Sequence, residues 1–180
     1  MSKKIIAFGA SNSKKSINKR LASYCALQFN ELTSEVLDLN DFEMPIYSID
    51  RELNEGIPEQ ALAFKQLIRG CDGIIISFAE HNGAYTAAYK NIYDWISRIE
   101  KNVWLDKPML LMGTSPGGRG AKGVLDLAFN SYSRSNENVL GKFSLPSFND
   151  NFSDEEGIKD PQLKAELEKL LHDFNAMIGA

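Results

Sequence analysis

Three short stretches of this sequence gather groups suited to a charged, flat ligand, and each follows an apolar run. The first is Gly9-Ala10-Ser11-Asn12-Ser13-Lys14-Lys15-Ser16-Ile17-Asn18. Hydroxyls, backbone amides and two lysines meet there at the entry to a helix, whose positive end suits a phosphate dianion. Each charge-assisted hydrogen bond contributes about 1.5–3 kcal/mol. Helix capping accounts equally well for any one of these side chains, but together they point to an anion site. The same run imitates a nucleotide-triphosphate loop, GxxxxGK[ST], from Gly9 to Ser16, with Lys14 standing where the second glycine belongs. It is not GxGxxG, which disfavours an ordinary dinucleotide fingerprint.

The second stretch is Ser77-Phe78-Ala79-Glu80-His81-Asn82-Gly83-Ala84-Tyr85. Glu80, His81 and Asn82 bring carboxylate, imidazole and amide groups that can match the polar edge of a planar ring, and a solvated loop is the alternative. No Ser or Cys nucleophile accompanies His81, so no catalytic side chain is assigned. The third stretch runs from Gly113 to Gly123. Gly117, Gly118 and Gly120 remove side chains there, so the backbone can approach a flat ligand.

These turns need a scaffold that makes them meet. Short apolar runs alternate with segments of helical period, the pattern of βαβ units wound into a parallel sheet. Strands are expected at Lys4 to Phe8, Glu35 to Leu39, Gly73 to Phe78, Pro108 to Met112 and Val139 to Phe148. Helices are expected at Ser16 to about Glu31, Ile57 to Arg69, Thr86 to Ile99, Gly120 to about Ser133 and Pro161 to Ile178, the last begun by Asp160 and Pro161. Ligands of open parallel sheets bind beyond the carboxyl ends of the strands. A strand order 2-1-3-4-5 sets strands one, three and four side by side, so that their exits border one pocket; the order 3-2-1-4-5 would turn the second stretch away from the others. The expected fold is therefore α/β and flavodoxin-like, a three-layer sandwich with a five-stranded parallel sheet in the order 2-1-3-4-5 and helices on both faces.

With 180 residues, 43% hydrophobic and 24% charged, the chain is expected to form a single domain over 1–180. A net charge of −4 argues against nucleic acid as a partner. Cys25 and Cys71 are far apart and belong to no ligand cluster, so no metal site is expected and both read as small buried hydrophobes. No apolar run approaches the roughly 20 residues of a membrane span, and Ile5 to Phe8 is too short for a signal core. A cytoplasmic protein without a membrane partner is the expectation.

The three stretches resemble, in register, motifs of the NADPH-dependent FMN reductases, a family that includes chromate, quinone and azo-dye reductases. The first motif, GSxRxxSxNxxLA, is matched by Ser11, Ser16, Asn18, Leu21 and Ala22. The second, PEYNxxxxxxxKNxxDWxSR, is matched by Glu80, Asn82, Lys90, Asn91, Asp94, Trp95, Ser97 and Arg98. Lys107, Pro108, Gly113, Ser115, Pro116, Gly117, Gly118, Arg119 and Gly120 match the third. Ala79 and His81 replace the family's Pro and Tyr. Ser13 stands where the family often has an Arg on the phosphate, leaving Lys14 or Lys15 to supply the charge.

The resemblance implies an FMN-dependent oxidoreductase that passes hydride from NADPH, or NADH, through bound FMN to a quinone, free flavin or similar small-molecule acceptor. Ser11, Ser13, Ser16, Ile17 and Asn18 would hold the phosphate, and Glu80, His81, Asn82 and Gly83 would line the ring. Ser115, Gly117, Gly118 and Gly120 would close its other side. A flavodoxin-type electron carrier that does not oxidise pyridine nucleotide is the alternative. Tyr85, Tyr89 and Tyr93, with Ile92, Trp95, Ile96 and Ile99, make the third helix apolar over more than one face. Sheet packing accounts for part of that surface, and a homodimer or homotetramer interface, as the family forms, is expected to account for the rest. The Asn40 to Gly56 connection is expected to border a flavin site across that interface.

Overall fold

The computed structural model describes residues 2–179. In chain order the elements are β1 (Lys4–Ala10), α1 (Ile17–Ala26), β2 (Thr33–Leu37), a 3-10 turn (Leu39–Phe42), α2 (Ile49–Glu55), α3 (Glu59–Arg69) and β3 (Gly73–Phe78). They continue with α4 (Ala87–Ile99), β4 (Met109–Thr114), α5 (Lys122–Tyr132), β5 (Val139–Leu145), α6 (Phe148–Asn151), β6 (Phe152–Ser153), β7 (Gly157–Ile158) and α7 (Pro161–Ile178). The main sheet is parallel and five-stranded among the described residues, in the order β2-β1-β3-β4-β5. This is the flavodoxin-like order, so the exits of β1, β3 and β4 are neighbours.

The central strands β1, β3 and β4 are almost continuously apolar because both faces of the sheet are covered there, whereas the edge strands β2 and β5 carry Thr33, Ser34, Glu35, Lys142 and Ser144. Ile6, Phe8, Ile74, Ile76, Met109 and Leu111 face Phe64, Ile68, Ile92, Trp95, Val124 and Ala128 from α3, α4 and α5. Ile5, Ala7, Ile75, Leu110 and Phe143 face Leu21, Cys25, Leu171 and Phe174 from α1 and α7. Cys25 and Cys71 are free and buried, and burial pushes both thiols up, Cys71 to about 11, so both stay protonated and inert.

Several boundaries differ from those read in the sequence, each for a local reason. Helix α1 stops at Ala26, where Ser34 Oγ donates to the Ala26 carbonyl at 2.9 Å, and the chain turns so that Phe29 reaches Phe174. Strand β2 begins at Thr33 and ends before Asp38, whose carboxylate accepts from the Asn40 amide at 2.9 Å and starts the 3-10 turn. The long connection contains α2, capped by Ser48 on the Arg51 amide. Strand β5 ends at Leu145, before Pro146 and the left-handed Ser147 (φ 46°). Helix α5 begins at Lys122, because Gly120 and Ala121 are both left-handed.

Much of the apolar surface of α4 is covered from within the chain, while Tyr85, Tyr93 and Ile99 stay half-buried. Tyr89 is fully buried and its hydroxyl pairs with that of Tyr132 from α5, while Tyr93 stacks on Trp104 at 5.9 Å. Trp95 donates from Nε1 to the Pro45 carbonyl at 2.7 Å. Beside the sheet, this helix packs against α3, and Tyr132 of α5 with Trp104 covers its tyrosines.

Two outcomes test how α1 is held. A Cβ on Gly9 would lie 2.3 Å from the Lys19 nitrogen, which no rotamer can relieve. Gly9→Ala is expected to lower the unfolding free energy by about 2–4 kcal/mol, read as a shift of the urea midpoint. Lys19 pairs with Asp38 at 2.6 Å, and that hydrogen bond, with the Asn40 amide, holds the Asp38 carboxyl at about 2, below its ordinary 3.8. A depressed carboxyl contributes stability above its unfolded value and loses it as pH falls through the folded value. Asp38→Asn is thus expected to be less stable than wild type by about 0.5–1 kcal/mol at neutral pH, allowing for solvent screening. Urea midpoints of the pair are expected to converge between about pH 4 and pH 2.

Candidate functional site

The site is built around the contact between Gly9 and the first turn of α1, which lets helix and strand backbones touch. Asn18, in that turn, is 2% exposed, and its amide group makes three hydrogen bonds. Its Nδ2 donates to the Thr114 carbonyl at 3.1 Å, and its Oδ1 accepts from Ser77 Oγ at 2.8 Å and from the Thr114 amide at 3.0 Å. One side chain thus ties the start of α1 to the ends of β3 and β4. Thr86, the α4 cap, adds a fourth connection by donating to the Ala10 carbonyl at 2.9 Å.

What remains open at this rim is the set of groups that suits an anion. Ser16 Oγ takes only the Lys19 amide, and the first-turn amides of Ile17 and Asn18 have no intrahelical acceptor. Ser11, 8% exposed, accepts from the Ser13 amide at 3.2 Å, and its hydroxyl hydrogen has no acceptor among the described residues. These groups line a cavity of about 250 Å³ with Ser13, Lys15, Ala79, Glu80, His81, Thr114, Ser115 and Pro116. A neighbouring cavity of about 200 Å³ lies between Asn12, the start of α4 and the segment from Leu39 to Ile46. Asn91 shapes its wall by donating to the Met44 carbonyl and accepting from the Tyr47 amide.

Of the residues singled out in the sequence, Ser11, Ser13, Ser16, Ile17, Asn18, Glu80, His81 and Ser115 line the first cavity. Glu80 does so while its carboxylate accepts from the Val124 amide at 2.9 Å, supplying the N-terminal cap that α5 otherwise lacks. Asn82 (φ 53°) and Gly83 (φ 77°) form the two-residue turn of a tight hairpin between His81 and Ala84, a conformation that asks for this dipeptide. Gly120 lies outside the cavity, buried, where a Cβ would meet Ser144 Oγ at 2.5 Å. Gly117 and Gly118 are exposed, have ordinary φ and would have nothing within 4 Å of a Cβ. The fold itself makes no demand for glycine at these two positions. Ser115 and Gly117 accept from the Phe148 and Ser147 amides, which ties the third turn to α6.

Sequence reasoning passed over Thr86 and Thr114. Thr86 carried a signal, a capping residue directly before an apolar helix; Thr114 did not, because its role depends on a partner 96 positions away.

The sequence profile described as NADPH-dependent FMN reductase matches residues 3–151. A 2-hydroxy-1,4-benzoquinone reductase from Burkholderia sp. is 35% identical over 122 residues, 67% of this chain and 64% of that protein, so the chain spans a little under two thirds of its length. An NADPH azoreductase from Bacillus sp. (strain OY1-2) is 25% identical over 170 residues, 94% of this chain and 87% of that one. Among solved structures, FerB, a flavoenzyme NAD(P)H:(acceptor) oxidoreductase from Paracoccus denitrificans, superposes with a TM-score of 0.76 at 24% identity, covering 98% of this chain and 97% of its own.

The geometry gives Asn18 a measurable signature. Its removal strands the Ser77 hydroxyl and both Thr114 backbone groups, so Asn18→Ala is expected to lose about 2–4 kcal/mol of stability, measured in urea without added flavin. A variant of unaltered stability but weakened flavin affinity would return this side chain to the ligand.

Proposed function

The chain belongs to the NADPH-dependent FMN reductase family, and from that membership we propose that it binds FMN at the rim shared by β1, β3 and β4. There it would oxidise NADPH, or NADH, and reduce a quinone, free flavin or similar small-molecule acceptor. The observation that carries this reading is one cavity lined by all three turns: the first turn of α1 with its free amides and the Ser11 hydroxyl, Glu80 and His81 of the second turn, and Ser115 and Pro116 of the third.

In this reading the amides of Ile17 and Asn18, with Ser11, Ser13 and Ser16, hold the phosphate at the positive end of α1. Main-chain groups of Glu80 to Gly83 meet the ring edge. Ser115, Gly117 and Gly118 let the backbone lie close to the ring, and Gly120 sets the bend of that turn. FMN, when bound, supplies the hydride chemistry, and the chain contributes binding, orientation and electrostatics. Asn18 and Glu80 act by positioning, the first on α1 and the second on α5.

The same reading makes the chain one FMN-binding domain over 1–180 and a cytoplasmic homodimer or homotetramer. Ile46 and Leu53, 79% and 77% exposed, offer apolar surface beside the second cavity for a second copy. No described helix is long and apolar enough to cross a membrane.

The test is direct. Purified protein is expected to carry a flavin absorbance spectrum and to oxidise NADPH steadily when benzoquinone is supplied. Bound flavin that NADPH and NADH both fail to reduce would identify an electron carrier and overturn the reductase assignment.

A further inference from the structure

The cations around the first turn are not equivalent. Lys19 is paired with Asp38 at 2.6 Å. Arg20 is paired with Asp154 at 3.0 Å and lies over the Phe148 ring, 5.0 Å from its centre. Lys14 and Lys15 are exposed and make no ion pair or side-chain hydrogen bond among the described residues. They differ in position. Lys14 lines only a groove of about 570 Å³ on the outer side of α1, whereas Lys15 lines both that groove and the 250 Å³ cavity holding Ser11 and the first-turn amides. Arg119, on the third turn, is exposed and outside the lining of both.

The cavity also contains a carboxylate, that of Glu80, which is turned to the Val124 amide. A dianion entering beside Glu80 meets repulsion that neutral hydroxyls and amides offset only in part. A cation on the same lining supplies the missing complement. We propose that Lys15, and not Lys14, is the cationic ligand of the cofactor's phosphate and sets the preference of this site for a phosphorylated flavin over an unphosphorylated one. The proposal rests on the FMN-binding reading above.

Riboflavin shares the ring of FMN without its phosphate, so paired titrations isolate the phosphate contact. Flavin-free wild type, Lys15→Ala, Lys15→Arg and Lys14→Ala are titrated with FMN and with riboflavin, followed by quenching of flavin fluorescence. Lys15→Ala is expected to weaken FMN about tenfold, roughly 1.4 kcal/mol, and to leave riboflavin within about twofold of wild type. Lys15→Arg is expected to restore FMN affinity, and Lys14→Ala to change both flavins less than about twofold. The wild-type advantage of FMN over riboflavin is expected to shrink as salt is raised, and to do so less in Lys15→Ala.

A Lys15→Ala protein that keeps its full FMN preference, or a Lys14→Ala protein that loses it instead, overturns the assignment while leaving the flavin site standing. A wild type that binds FMN no better than riboflavin overturns the phosphate site itself and Lys15 with it.

Discussion

Helix α1 lies directly on the backbone of β1, and everything at the carboxyl rim follows from that contact. Only glycine at position 9 permits it, since a Cβ would fall 2.3 Å from the Lys19 nitrogen. The approach brings the positive end of the helix to the point where β1, β3 and β4 finish together. Asn18 then makes the arrangement unique. A buried amide is costly unless satisfied, and here Ser77 and Thr114 satisfy it only when helix and both strands are in register. Helix position, strand order and the shape of this rim thus stand or fall together.

The parts of this architecture legible in the sequence are those governed by short-range physics. The continuous run of β3 declares a strand covered on both faces, Asp160 with Pro161 declares a helix start, and three polar turns after apolar runs declare where the rim lies. The strand order could be argued because only one arrangement lets those turns meet. Roles set by distant partners were not legible. Asn18 and Glu80 look like ligands when read beside their chain neighbours, yet each side chain is held by another element, Asn18 by Thr114 and Glu80 by Val124. Helix α2 was hidden because its one cap, Ser48, opens a helix with no buried face. The breadth of apolar surface on α4 suggested a subunit contact, whereas Tyr132 and Trp104 cover much of it from within the chain.

A criterion emerges for separating architecture from site. Gly9 and Gly120 are required by packing, Gly56 and Gly83 by left-handed backbone, and Gly117 and Gly118 by neither. The same sorting applies to polar groups. Asn18, Glu80, Thr86 and Thr114 are consumed by the fold, while the Ser11 hydroxyl hydrogen, two helix amides and Lys15 are left over. These leftover groups lie on one rim, where an outside ligand would use them.

Charge supports the same division. The chain carries a net −4, yet Lys14 and Lys15 project without partners among the described residues beside the positive end of α1. Ion pairing neutralises the next two cations, Lys19 and Arg20, on the body of the helix. Two unpaired cations beside the positive end of a helix favour an anionic ligand at that spot. A site whose chemistry is supplied by a bound group needs a field and a shape from its protein, and the paired and unpaired charges around α1 supply the field.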